Sequence, residues 1–66
     1  MMNYRLEAVL RALHELNKWV TPQEIAEKVG MSWSTAKKDL EWLTEQGLVQ
    51  SRKSGTRYKY HFNMQR

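Results

Sequence analysis

Thr21-Pro22-Gln23-Glu24-Ile25-Ala26-Glu27-Lys28-Val29-Gly30-Met31-Ser32 is the stretch on which the fold turns. Thr21 carries the side-chain oxygen of a good helix N-cap. Pro22 suits the first helical position, where its missing N–H is not needed, and Glu24 stands three residues after Thr21 to complete a capping box. Ile25, Ala26 and Val29 supply an apolar face and Gly30 a left-handed stop, so the spacing predicts a helix over about 22–29. Ser32 is a second N-cap, two residues after Gly30. A turn this short forces the helix that follows to cross its predecessor steeply. That helix is predicted over about 33–46, with Ala36, Leu40 and Leu43 on its buried stripe, Trp33 at the stripe's border and Gly47 as its stop.

Upstream, Leu6, Val9, Leu10, Leu13 and Leu16 trace one helical stripe and predict a first helix over about 4–17, capped by Asn3. Trp19 and Val20, between it and the Thr-Pro signal, favour a short extended piece or bridge. Downstream the period changes to two. Leu48 to Lys53 reads as a strand and Ser54-Gly55-Thr56 as a turn. After it, Tyr58, Tyr60 and Phe62 alternate with Arg57, Lys59 and His61, giving a hairpin over about 48–63. An isolated hairpin is marginal in water, so Leu48, Val49 and the aromatic face are expected to lie on the helices. The predicted fold class is mainly α with a small β-hairpin (α+β), as one domain over 1–66.

The charge is one-sided. Residues 1–31 balance Arg5, Arg11, Lys18 and Lys28 against Glu7, Glu15, Glu24 and Glu27; residues 32–66 set Lys37, Lys38, Arg52, Lys53, Arg57, Lys59 and Arg66 against Asp39, Glu41 and Glu45. The whole net charge of +4 therefore sits in the second half, the footprint of a nucleic-acid binder or, more blandly, of a solvated surface. With no cysteine, no disulfide or thiolate metal site is available. His14 and His61 are too isolated to hold a metal, and His61 reads as a surface histidine. No apolar run approaches the roughly 20 residues of a membrane helix, and the first eleven residues lack a signal-peptide core. A soluble cytoplasmic protein with no membrane partner is expected. The chain has a single Asp, no Gly-rich phosphate loop and no nucleophile with a base at readable spacing. No enzyme activity, no cofactor and no small-molecule ligand are expected.

The run from Thr21 to Ser32, continued by Thr35-Ala36, Leu40, Leu43 and Gly47-Leu48-Val49, resembles the winged helix-turn-helix superfamily, in the broad neighbourhood of the MarR, ArsR and IclR DNA-binding domains. The resemblance covers about residues 4–63. It implies a three-helix winged helix-turn-helix that binds double-stranded DNA, a transcriptional regulator of the small archaeal, plasmid or viral kind, nucleoid-associated in the cytoplasm. In that arrangement helix 3 enters the major groove and the hairpin, or wing, reaches the backbone or minor groove. The positions carried over are Ser32, Trp33, Ser34, Thr35, Lys37 and Lys38 on helix 3. In the wing they are Arg52, Lys53, Ser54, Gly55 and Arg57. Glu41 and Glu45, at the acidic end of helix 3, should point away from DNA.

Trp19 reads as a packing residue. Trp33 can pack inward or lie against DNA sugars. Trp42, off the core stripe, is expected to be largely exposed and to form a homodimer or other partner contact, with packing under the hairpin as the alternative. Tyr58, Tyr60 and Phe62 read as core; exposed on the sheet, they would instead suit single-stranded nucleic acid. The rival function is a protein-interaction module of a larger assembly, since winged helices also serve in that way.

Overall fold

The three predicted cap residues all act as caps. The structure, a computed structural model, describes residues 2–64; Arg66, counted in the basic half, and the ends of the expected 1–66 domain lie outside them. Asn3 Oδ1 accepts from Leu6 N–H at 2.8 Å and opens α1, Tyr4–Leu16. Thr21 Oγ1 accepts from Glu24 N–H at 3.2 Å while Glu24 Oε1 accepts from Thr21 N–H at 2.8 Å, the complete capping box of α2, Pro22–Val29. Ser32 Oγ accepts from Thr35 N–H at 3.2 Å and opens α3, Trp33–Glu45. Gly30 ends α2 at φ 87°. α1 stops at Leu16 because Asn17 itself turns left-handed, at φ 49°, a conformation Asn tolerates better than most residues.

β1, Val49–Ser54, and β2, Arg57–Phe62, pair antiparallel, from Val49 opposite Phe62 to Ser54 opposite Arg57. Gly55 and Thr56 close the hairpin, with Gly55 at φ 67°, the kind of positive φ that two-residue hairpin loops require at their first position. The predicted extended piece before α2 is a bridge to the free edge of β2: Val20 N–H donates to Tyr60 C=O at 2.9 Å and Tyr60 N–H to Val20 C=O at 2.8 Å. Val9, Leu13, Val20, Ile25, Leu40 and Leu43 are fully buried, and Leu6, Ala12, Ala26, Ala36, Val49 and Tyr60 complete the core. The fold is the expected three-helix winged helix-turn-helix. Among the described residues no helix is long and apolar enough to cross a membrane.

Several side chains lie elsewhere than their periodicity suggested. Tyr58 shares a face with Tyr60 but is 47% exposed, because the hairpin projects beyond the helices before reaching it. Leu48, expected on the helices, is 41% exposed; its backbone is what is used, the N–H donating to Leu43 C=O and the C=O accepting from Asn63 N–H. His61 is not a surface histidine. It is 4% exposed, edge-on to Trp19 and beside Phe62, with Nδ1 3.0 Å from Phe62 C=O. The bridge at Val20 brings Trp19 over the far face of the sheet, so the base of the wing is covered on both sides. His14, at the end of α1, stacks on Phe62 at 4.2 Å. Trp42 is half-buried and packs against the core, which removes the exposure that suggested a partner contact.

One interaction was not anticipated. Arg5 of α1 grips the buried carboxylate of Asp39 on α3 with a two-pronged pair of hydrogen bonds, Nε to Oδ2 at 2.7 Å and Nη2 to Oδ1 at 2.9 Å. The signal was present: Asp39 lies between Ala36 and Leu43 on the core stripe, where a carboxylate needs a partner.

Leu40→Ala should cost about 2–5 kcal/mol of stability, as full-depth Leu truncations do. Arg5→Gln, which leaves the Asp39 charge without its fork, should lower the urea midpoint clearly. Lys28→Gln, which breaks the exposed pair with Glu15, should barely move it.

Candidate nucleic-acid interface

α3 departs from the charge rule that the other helices follow. α1 carries Glu7 in its first turn and His14 in its last, and α2 carries Glu24 and Lys28. Glu7 and Glu24 compensate the positive ends of these helix dipoles, and Lys28 the negative end of α2. α3 has no acidic residue in its first turn and no basic one in its last, and places Glu41 and Glu45 toward its C-terminal end. Its positive end is left uncompensated by carboxylates and is dressed with hydroxyls. Ser32 Oγ donates to Thr35 Oγ1 at 2.9 Å and lies 3.3 Å from Ser34 Oγ. Ser32 is thus engaged as cap and clasp, while Ser34 and Lys38 face solvent. Trp33, whose direction the sequence left open, turns outward and is 50% exposed.

The wing tip stands beside this end of α3. A cleft of about 540 Å³ lies between them. Its walls are Thr21, Pro22 and Gln23 from the start of α2, Trp33 and Lys37 from α3, and Thr56, Arg57, Tyr58 and Tyr60 from the wing. Of the expected site residues, Trp33, Lys37 and Arg57 therefore meet in one cleft. Ser34 and Lys38 lie exposed on α3, and Lys53, Ser54 and Gly55 are exposed at the hairpin end. Arg52 is different. Its guanidinium lies over the Trp19 ring, 4.3 Å from the centroid, and it pairs in register with Lys59, two residues before His61 on β2. It props the base of the wing, a role the run of cations in the sequence did not distinguish. Thr21, Gln23 and Tyr58 were missed as cleft residues; only the fold brings the start of α2 against the wing.

The cations divide in the same way. Among the described residues Arg5, Lys18 and Lys28 each have a carboxylate partner, whereas Lys38, Lys53, Arg57 and Lys59 have none within ion-pair distance; on the first half only Arg11 is so placed. Lys37 alone among the cations of α3 and the wing is paired, to Glu41 at 2.6 Å. That hydrogen bond first, and the carboxylate's charge second, hold the Lys37 ammonium above its ordinary pKa. The Tyr60 phenol is also pushed up, by burial first and then by Glu41.

Residues 3–66 match a family of unknown function, DUF7342. The chain belongs to that family. No curated protein matches it in sequence. Its fold is similar to that of ST1889, a protein of the thermoacidophilic archaeon Sulfolobus tokodaii, at 30% identity and a TM-score of 0.85 over 96% of this chain. A fragment of Mb0332 from Mycobacterium bovis, described as a homodimeric winged helix-turn-helix DNA-binding domain and a possible ArsR-family transcriptional regulator, is 33% identical with a TM-score of 0.79 over 92% of this chain. The PcaV transcriptional regulator of Streptomyces coelicolor, 23% identical, shares the fold at a TM-score of 0.82 over 96% of this chain. This member of the family spans 63%, 55% and 46% of those three chains. The likeness to winged helix-turn-helix DNA-binding domains that the sequence suggested is found in the fold.

Of the three tryptophans only Trp33 is open to solvent, while Trp19 and Trp42 are half-buried. Trp33→Phe should therefore remove most of the iodide-quenchable component of the fluorescence, and an unchanged quenching curve would place Trp33 inside.

Proposed function

We propose that this protein binds double-stranded DNA as a transcriptional regulator, with α3 in the major groove and the wing on the adjoining backbone or minor groove. The observation that carries the reading is the shared cleft. The uncompensated positive end of α3 and the unpaired Arg57 of the wing face one another across it, where one strand of a duplex would run. A major groove accepts a single helix, and the first turns of α3 offer hydroxyl and ammonium donors there through Ser34, Thr35 and Lys38. Lys53 and Arg57, with the backbone of Ser54 and Gly55, serve as phosphate or minor-groove contacts. Ser32 acts indirectly, by fixing where α3 begins. Few of these side chains read a base edge with two prongs, so sequence preference is modest.

The homodimeric Mycobacterium bovis domain supports the same reading and extends it to a dimer. Two copies would then present their recognition helices to half-sites about one helical turn, ~34 Å, apart. No enzymatic role is part of this proposal, and the cell interior, where DNA is, is the place it assigns.

The test is fluorescence anisotropy of a labelled mixed-sequence duplex at several salt concentrations. Binding should weaken linearly on log–log axes. The Lys53→Ala, Arg57→Ala double variant should lower the steepness of that line by about 2, roughly 0.9 for each phosphate no longer neutralised, at every sequence alike. Ser34→Ala with Lys38→Ala should blunt the preference between sequences. No binding at low salt would overturn the proposal.

A further inference from the structure

The groove between α3 and the wing changes sign along its length. Beyond the basic cleft, toward the end of α3, a second hollow of about 310 Å³ is lined by Glu41, Thr44 and Glu45 on one side and Ser51, Tyr58 and Tyr60 on the other. Tyr58 and Tyr60 line both hollows, so the two adjoin along the space between α3 and the wing. Lys37 stands where the sign changes. It lines the basic half, yet its Nζ is bound to Glu41 Oε2, which lines the acidic half, at 2.6 Å. Both side chains are close to half exposed. A pair in that setting is weakly held, because water and salt screen it and both long side chains lose freedom in making it.

A backbone phosphate seated in the basic half would face Arg57 and Lys37 together. Arg57 meets it with no acidic competitor among the described residues. Lys37 must first leave Glu41. We infer that Glu41 is a built-in competitor for the phosphate: it holds Lys37 in the free protein, surrenders it when DNA enters the groove, and so sets how tightly DNA is bound. The exchange trades one anionic partner of the ammonium for another, with no covalent change. The inference rests on the DNA reading above and adds to it a residue that weakens binding by design of the site. The two members lie at i and i+4 on one helix, so Lys37 can swing between Glu41 and the groove by rotation of its side chain alone, with the backbone of α3 fixed. A domain whose wing cations are unpaired would bind any duplex; a lysine of α3 that must be won from a carboxylate lowers that general affinity and favours DNA whose backbone sits deep enough to reach it.

The experiment is a double-mutant cycle on the full chain: wild type, Glu41→Gln, Lys37→Met and the double variant, each titrated against one duplex by anisotropy at fixed low salt, with circular dichroism melts to show that all four fold. Glu41→Gln should tighten binding about 2–3-fold in the wild-type background, the most that an exposed pair of this kind can withhold, and leave it nearly unchanged when Lys37 is Met, since the effect must pass through Lys37. Lys37→Met should weaken binding several-fold. Equal tightening in both backgrounds would mean that Glu41 acts only by repelling DNA, and would overturn the exchange while leaving the DNA reading intact. Unchanged affinity in Glu41→Gln would overturn it too. Absence of binding by all four proteins at low salt would overturn the DNA reading and this inference with it.

Discussion

The pair of backbone hydrogen bonds between Val20 and Tyr60 is the joint on which the rest of the molecule depends. A domain of this size hides only about 60% of the surface its chain would expose, and a two-stranded ribbon contributes little core of its own. Here the ribbon is held at its base alone. Val49 and Tyr60 enter the core and Val20 closes the free edge of β2, while everything from Arg52 to Tyr58 stands clear of the helices. That division creates the wing as a projecting arm. It also creates the cleft, because the strand that carries Tyr60 into the core carries Arg57 and Tyr58 past the first turns of α3 and α2.

Stability and presentation are separated in the distribution of charge. The first two helices have carboxylates at their positive ends, and three of the four cations of that half are held by carboxylates. α3 and the wing give up those gains. The uncompensated helix end, and Lys53, Arg57 and Lys59 without a carboxylate, forgo that stabilisation, and local rules broken together in one place are what a functional surface is expected to show. The net charge of +4 understates this, since a modest total is concentrated on one face.

The legible part of the fold was the part carried by local chemistry. Asn3, Thr21 and Ser32 announced helix starts that hold to the residue, because a cap is a short-range hydrogen bond between neighbours in the chain. Alternation announced the hairpin. What alternation could not give was depth: Tyr58 and Tyr60 share one face, yet one lies beyond the helices and the other beneath them. His61 was misjudged for a related reason. Its burial comes from Trp19, more than forty residues away in sequence, lying over the face that alternation marks as outer. Trp42 sits off the stripe by angle, but its ring is long enough to reach back to the core. Among the site residues, the hydroxyls and cations were visible as types; the assignment of Arg52 to Trp19 required the fold, whereas the pairing of Lys37 with Glu41, at i and i+4 on a predicted helix, was legible in the spacing and was missed.

Arg5 and Asp39 show why a core of apolar stripes is not enough for a domain of this kind. Burial of Ala36, Leu40 and Leu43 is non-directional; it holds α3 against its neighbours but constrains only loosely its rotation about its own axis. For the proposed DNA contact that angle matters, because a modest rotation of α3 would turn Ser34 and Lys38 away from the major groove. The guanidinium fork donates to a carboxylate in one plane and at two points, and here it reaches from the first turn of α1 to the middle of α3. The carboxylate is nearly covered while the arginine remains half open to water, so the penalty of burying charge falls mainly on one partner. The pair thus adds direction where the apolar stripe supplies only adhesion, and it does so on the face of α3 opposite the one that Ser34 and Lys38 leave exposed.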